Sequence, residues 1–290
     1  MQLGLHLSSY HWPVETERLA PTLAEIAAVA DGCGFDSISV ADHFWQHPRM
    51  GGPEGPMLEC YATQAFLAAH TRRVRLMALT TATPYRHPAL LAKVVTTLDA
   101  LSGGRAWLSI GAGDYEEEAR GLGIPYPPLR QRFEMLEETV QICLRMWRGD
   151  GGPFEGRHFR AERLLNQPRP LARPHPPILI AGDGEHRTLR LVARYANACS
   201  LRPTPEIPRK LDLLRRYCEE EGRDYGAIEK TCVFAFDVGD GGSRVGELIE
   251  RLRWLGGMGI QTVVGRVEHV DRITPLEVIG REVIPAVADL

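Results

Sequence analysis

Eight short apolar runs, each followed by a stretch of helical periodicity, leave this chain few ways to fold. The runs are 3–7 (LGLHL), 37–41 (SISVA), 74–80 (VRLMALT), 105–110 (RAWLSI), 177–181 (PILIA), 197–201 (NACSL), 231–236 (TCVFAF) and 261–265 (QTVVG). Between and after them, helical patterns cover 17–31, 58–70, 88–101, 115–122 with 130–147, 185–196, 206–222, 244–257 and 275–288. Eight strand–helix units in 290 residues predict an α/β fold, a (β/α)8 TIM barrel, spanning 1–290 as a single domain. Counting units does not prove closure, so a doubly wound open sheet is the structural alternative. The proline-dense segment 166–177 (NQPRPLARPHPP) favours an extended path. With residues 150–165 it reads as an insertion between the fourth and fifth strands.

Composition removes several function classes. Hydrophobic residues make up 44% and charged residues 24%, and the net charge is -3, so neither a nucleic-acid surface nor a basic membrane patch is expected. Among the 34 basic residues only positions 93, 210 and 230 are lysine, which reads as genomic composition bias. Six cysteines lack C-x-x-C spacing and fall mostly in apolar surroundings, as core residues do. With no charged leader and no run near ~20 apolar residues, a reduced, cytoplasmic protein acting on a small-molecule substrate is the expectation.

In a barrel the chemistry gathers where strands end, and alternation assigns side chains to faces. In SISVADHFW, the large residues Ile38 and Val40 should face the helices with Asp42. Ser37, Ser39, Ala41 and His43 should face the lumen, so His43 is the chemical candidate and Asp42 a loop anchor that also borders a ligand. By the same rule Gly4, His6 and Ser8 point inward from the first strand. The loop after it, SSYHWP, brings Tyr10, His11 and Trp12 to the active face, and aromatic loops suit a flat ligand. His6, His11, Trp12 and Trp45 are the substrate-contact candidates, with Phe44 and Trp45 open between pocket wall and loop packing.

Two glycine-rich strand ends offer close backbone approach. IGAGD places Gly111 and Gly113 before Asp114, and AGDGE places Gly182, Asp183, Gly184 and Glu185 ahead of a helix. A glycine turn opening a helix suits phosphate, although two acids there would repel an anion unless they point away. Competing chemistries lack their motifs. His6 is not part of H-x-H, His43 and His47 share no helix ahead of Pro48, and no G-x-S-x-G elbow, P-loop or dinucleotide fingerprint occurs. A carboxylate pair drawn from Asp114 with Glu117 or Glu118 has no specific spacing, and no metal is expected.

The combination of GFDSISVADHF, LMALTTATPYRHPALLAKVVTTLDALSGGRAWLSIGAGDYEEEARGLGIPYPP and RPHPPILIAGDGEHRTLRLVARYA resembles the luciferase-like monooxygenase superfamily. Within it, the chain is similar to the coenzyme F420 (deazaflavin)-dependent oxidoreductases over about residues 3–200. The resemblance implies the closed barrel, and a deazaflavin or FMN lying across the strand tops with its phosphate near Gly182-Asp183-Gly184. It implies a bulge with a non-proline cis peptide near Leu79-Thr80, followed by Thr81, supporting the ring. It places His43 beside the reactive ring carbon as proton donor or acceptor, since histidine titrates near neutrality. Asp114 stands where relatives carry Trp or Glu and takes a catalytic role with shorter reach, while His47 replaces an aromatic. The expected activity is hydride transfer between F420 and a small organic substrate. The alternatives are an FMN-dependent monooxygenase and a non-enzymatic paralogue, and a homodimer is implied by resemblance.

Overall fold

The computed structural model describes residues 1–290. The eight apolar runs form parallel strands β1 (Gln2–Leu7), β2 (Ser37–Val40), β3 (Arg75–Ala78), β4 (Leu108–Gly111), β5 (Ile178–Ala181), β6 (Ala198–Leu201), β7 (Glu229–Phe236) and β8 (Thr262–Val267). Their order runs β3-β2-β1-β8-β7-β6-β5-β4. The ring closes because β3 resumes as Thr81–Ala82, pairing with Ile110 and Gly111 of β4, and because Leu76 bridges Ala106. A parallel sheet with helices on its outside and β3 against β4 is a barrel rather than an open sheet. The helices are α1 (Thr16–Cys33), α2 (Cys60–His70), α3 (Pro88–Ser102), α4 (Glu116–Gly121), α5 (Leu129–Arg148), α6 (Thr188–Tyr195), α7 (Ile207–Glu220) and α8 (Val245–Gly257), and a last helical segment begins at Thr274. No helix is long and apolar enough to cross a membrane.

Alternation sorts the strand residues as their sizes demand. Leu3, Leu5, Leu7, Ile38, Val40, Leu76, Ile110 and Ile180 join the apolar layer between sheet and helices. Met77, Leu179 and Ala198 form a separate small cluster with Leu79, Trp107 and Ala181 inside the barrel. The lumen is tight: a Cβ at Gly4 would stand 2.3 Å from Ser37 Oγ, so only glycine fits that inward position. One end is plugged by Arg75, which bonds Asp36 and Glu229 and lies 4.5 Å over the Trp107 ring. The strand C-termini form the other end.

The local signals follow ordinary capping chemistry. Gly34, with φ 91°, ends α1 in the left-handed conformation and returns its N–H to Ala30 O. Glu59 accepts from Ala62 N at 2.6 Å to cap α2, and Pro88 opens α3 behind the His87 cap. The chain between α5 and β5 carries an antiparallel pair, Phe154–Glu155 with Arg160–Ala161. Its proline-rich part then runs without helix or strand across α3, where buried Asp99 accepts from the Leu171 and Ala172 amides. Some boundaries differ from the sequence expectation: β3 ends at Ala78, β4 begins at Leu108, and α6 begins at Thr188, three residues after Glu185, because Glu185–Arg187 form a turn first.

Candidate active site

His43 follows β2 at the barrel mouth, and its Nδ1 lies 3.0 Å from Oε2 of Glu118 on α4. Glu118 is fully buried. Its Oε1 accepts from the Phe44 and Trp45 amides, and Oε2 also accepts from the Tyr85 hydroxyl. Four donors saturate the carboxylate, which suits its ionised form. Burial alone would raise the Glu118 pKa, but these partners outweigh it and hold it below the usual range. Burial also pulls His43 down, yet the Glu118 hydrogen bond and charge prevail, with Asp114 and Asp42 adding to them, and the net shift is upward. An ionised Glu118 accepts Nδ1–H, which selects the imidazole tautomer and leaves Nε2 for a ligand. The rings of His47 and Tyr115 stand 5.6 Å from that of His43 and flank it.

The neighbouring strand top is held from behind. Leu79–Thr80 is a cis peptide, where the family resemblance places one, and Leu79 N donates to Val40 O at 2.8 Å, level with the end of β2. Thr80 shares a 3.3 Å hydrogen bond with Ser109. Asp42 does not border the lumen as a ligand contact. It is 2% exposed, pairs with Arg86 at 2.7 Å and accepts from Ala82 N at 3.2 Å, so its side chain is the loop anchor. Thr81 likewise turns outward, its hydroxyl 2.6 Å from that of Tyr61 on α2. Inward-facing Gly111 stays near the lumen, where a Cβ would come 3.4 Å from Thr80 Cγ2. Gly113 lies in the turn beyond, and Arg132 donates to its carbonyl and to Ala112 O.

Asp114 and Trp45 sit differently from the sequence expectation. Asp114 is exposed and reaches His43 only through its field, whereas Glu118 makes the contact. The signal was available: Tyr115, Glu118, Ala119 and Leu122 share one helical face, so one acid of the EEE run lies on an apolar stripe. Trp45 packs on α4, where a Cβ on Gly121 would come 2.0 Å from its ring, and it faces away from the lumen. His6, His11 and Trp12 do come together, around a cavity of about 410 Å³ beside the ends of β1 and β8. Burial pulls the His6 pKa down to about 4, so its imidazole is neutral near pH 7, and Nδ1 lies 2.9 Å from Ser39 Oγ.

The Gly182–Gly184 turn follows β5. Its two acids are matched by cations: Asp183 with Arg202 (3.1 Å) and Lys210 (2.6 Å), and Glu185 with Arg209. Burial would raise the Asp183 pKa, but Arg202 and Lys210 outweigh it and lower it. With Glu206 also 3.7 Å from Arg209 and 3.6 Å from Lys210, three carboxylates meet three cations, so the acids of the turn are neutralised.

Comparison with known proteins agrees with this architecture. An F420-dependent glucose-6-phosphate dehydrogenase from Nakamurella multipartita is 32% identical over 65% of this chain and 54% of its own. The chain thus spans about half the length of such a curated relative. A solved F420-dependent secondary alcohol dehydrogenase superposes with a TM-score of 0.82 at 19% identity, covering 99% of both chains. A monooxygenase from Streptomyces bottropensis superposes with 0.78 at 22% identity, over 98% of this chain and 99% of its own. At these identities the superpositions speak for the fold. The family assignment rests on residues 1–274, which match the luciferase-like monooxygenase family; the chain belongs to that family.

Proposed function

We propose that this chain is a coenzyme F420-dependent oxidoreductase that exchanges a hydride between the deazaflavin and a small organic substrate, with His43 handling the accompanying proton. The observation that carries the reading is the buried Glu118 fastened to His43 Nδ1 at the barrel mouth. Relatives named as F420-dependent dehydrogenases support the cofactor. The residues present fit a flat ring: the inward positions near the tops of β4, β5 and β6 are the small Ser109, Gly111, Ala181 and Ser200, beside Leu79 and Thr80. The cation-flanked Gly182–Gly184 turn fits its phosphate.

When bound, a deazaflavin supplies a hydride to an unsaturated acceptor or takes one from an alcohol. The chain's own residues then have separate tasks. His43 gives or receives a proton at Nε2, and Glu118 fixes its tautomer and stabilises the imidazolium. Asp42, Arg86 and Tyr61 hold the Leu79–Ala82 wall in place from the helix side, so ring and substrate meet in one orientation. Neutral His6 offers a hydrogen bond without competing for the proton.

Equilibrium titration with oxidised F420 and with FMN tests the cofactor, followed by a substrate screen with the one that binds. The reading expects tighter F420 binding and loss of turnover in His43→Ala. Preferential FMN binding, with oxygen uptake by the reduced complex, would favour the monooxygenase instead. Unchanged turnover in His43→Ala would remove the histidine from the chemistry. The homodimer expected by resemblance is checked by light scattering.

A further inference from the structure

Arg266 is an arginine at the barrel mouth that is drawn partly out of water and has no carboxylate partner. It follows Thr262 and Val264 on the inward face of β8 and is half-buried. Its only polar neighbour is the Met50 sulfur beside Nη1, and a thioether is a weak acceptor. The other arginines drawn below the surface are matched: Arg75 by Asp36 and Glu229, Arg86 by Asp42 and Glu59, Arg145 by Asp150, and Arg105, Arg132 and Arg223 by backbone carbonyls. An unpaired guanidinium half out of water is the exception that needs a partner.

That partner has room. Arg266 borders the cavity of about 410 Å³ that His6 and Trp12 line from the β1 side and Arg49 from the turn after β2. Arg49 also has no carboxylate partner. Glu268 and Asp271 lie on the same rim, and neither forms an ion pair with Arg266 or Arg49. His6 ties the cavity to the proposed chemistry, because it feels the charges of both Arg266 and His43.

We propose that this cavity is the subsite for an anionic group of the substrate, a carboxylate or a phosphate, anchored by Arg266 with Arg49 as second cation. A bidentate guanidinium contact would orient the molecule as well as hold it, leaving its reacting carbon toward His43. The substrate role rests on the oxidoreductase reading; the anion site itself does not.

The test uses cofactor-free protein at low ionic strength, titrated calorimetrically with inorganic phosphate and, separately, acetate. Wild type is expected to bind phosphate, Arg266→Gln to lose at least about tenfold in affinity for that component (~1.4 kcal/mol), and Arg272→Gln, an exposed cation of the adjoining loop, to match wild type. Phosphate taken up at the Gly182–Gly184 turn persists in all three and is subtracted by the comparison. Superimposable wild-type and Arg266→Gln titrations, or no phosphate binding by wild type, would overturn the proposal. Removing an unpaired cation should not lower the unfolding temperature, so a folded Arg266→Gln protein is expected. A second arm pairs alcohols with and without a phosphate or carboxylate in the F420-loaded enzyme. Preference for the anionic member, with KM rising in Arg266→Gln more than kcat falls, assigns the site to substrate rather than to a free anion; equal use of both members refutes the substrate role. Anion binding without F420 binding would sink the oxidoreductase reading alone, and the reverse would sink this one alone.

Discussion

The two halves of the barrel mouth hold their acids in opposite ways. Around β2–β4, Asp42 and Glu118 are buried and wired to backbone amides, Arg86, Tyr85 and His43. Around β5–β7, Glu185 meets Arg209, whose side chain is 59% exposed, and Asp183 is shared between Arg202, 79% exposed, and the buried Lys210 at 2.6 Å. Coulomb attraction at equal distance is far stronger where water is excluded, but so is the cost of losing a partner. The first half therefore holds its acids by partners shielded from water, while the second divides them between one buried lysine and exposed arginines that salt screens.

Breaking each half in turn should expose that difference. The largest effect belongs to Arg86→Met, which strands Asp42 in the interior. A loss of ~3–5 kcal/mol is expected in urea unfolding at pH 7. Burial already works to raise the Asp42 pKa, and without Arg86 it rises further. A raised carboxyl pKa favours the fold below the unfolded value and weakens it as pH rises through the folded one, so the deficit should shrink in acid.

Glu118→Gln should come next, at about 1–3 kcal/mol of stability, with a sharper effect on chemistry. The amide keeps the shape but removes the charge that raises His43, leaving burial to lower it. Whichever limb of the kcat/KM profile reports His43 should move to lower pH, and an unmoved profile would detach Glu118 from the titrating group. Asp183→Asn should cost about 1–2 kcal/mol, because buried Lys210 loses its nearest carboxylate and keeps only Glu206 at 3.6 Å, and should tighten phosphate binding at the turn. Glu185→Gln should be the mildest, with no measurable shift of the urea midpoint and a salt dependence of phosphate affinity close to wild type.

The fold was legible because burial in a barrel follows a period of two, which the residues themselves display. Large aliphatics at 3, 5, 7, 38 and 40 alternate with Gly4, His6, Ser37 and Ser39, and the structure puts each set on the side its size requires. The same alternation separated His43 from Asp42 and made the latter an anchor. The partner of His43 was not legible in this way. Glu118 lies 75 residues away in an acidic run that reads as a solvated surface, and Asp114 looked the better placed acid at a strand end. Trp45 was equally ambiguous, since its direction depends on Gly121 of a helix far along the chain. The start of α6 moved because the Gly182–Gly184 backbone needs a further turn before helical bonds can form.

The amino-acid order alone thus determined the repeat, the inward and outward faces and the histidine at the strand top, all set by local stereochemistry and side-chain size. Only the tertiary structure decided which acid answers His43, which arginines are matched, and that Arg266 has no carboxylate partner. Those depend on distances between residues remote in sequence, and the energy of a charge is set by its neighbours and its distance from water rather than by its place in the chain.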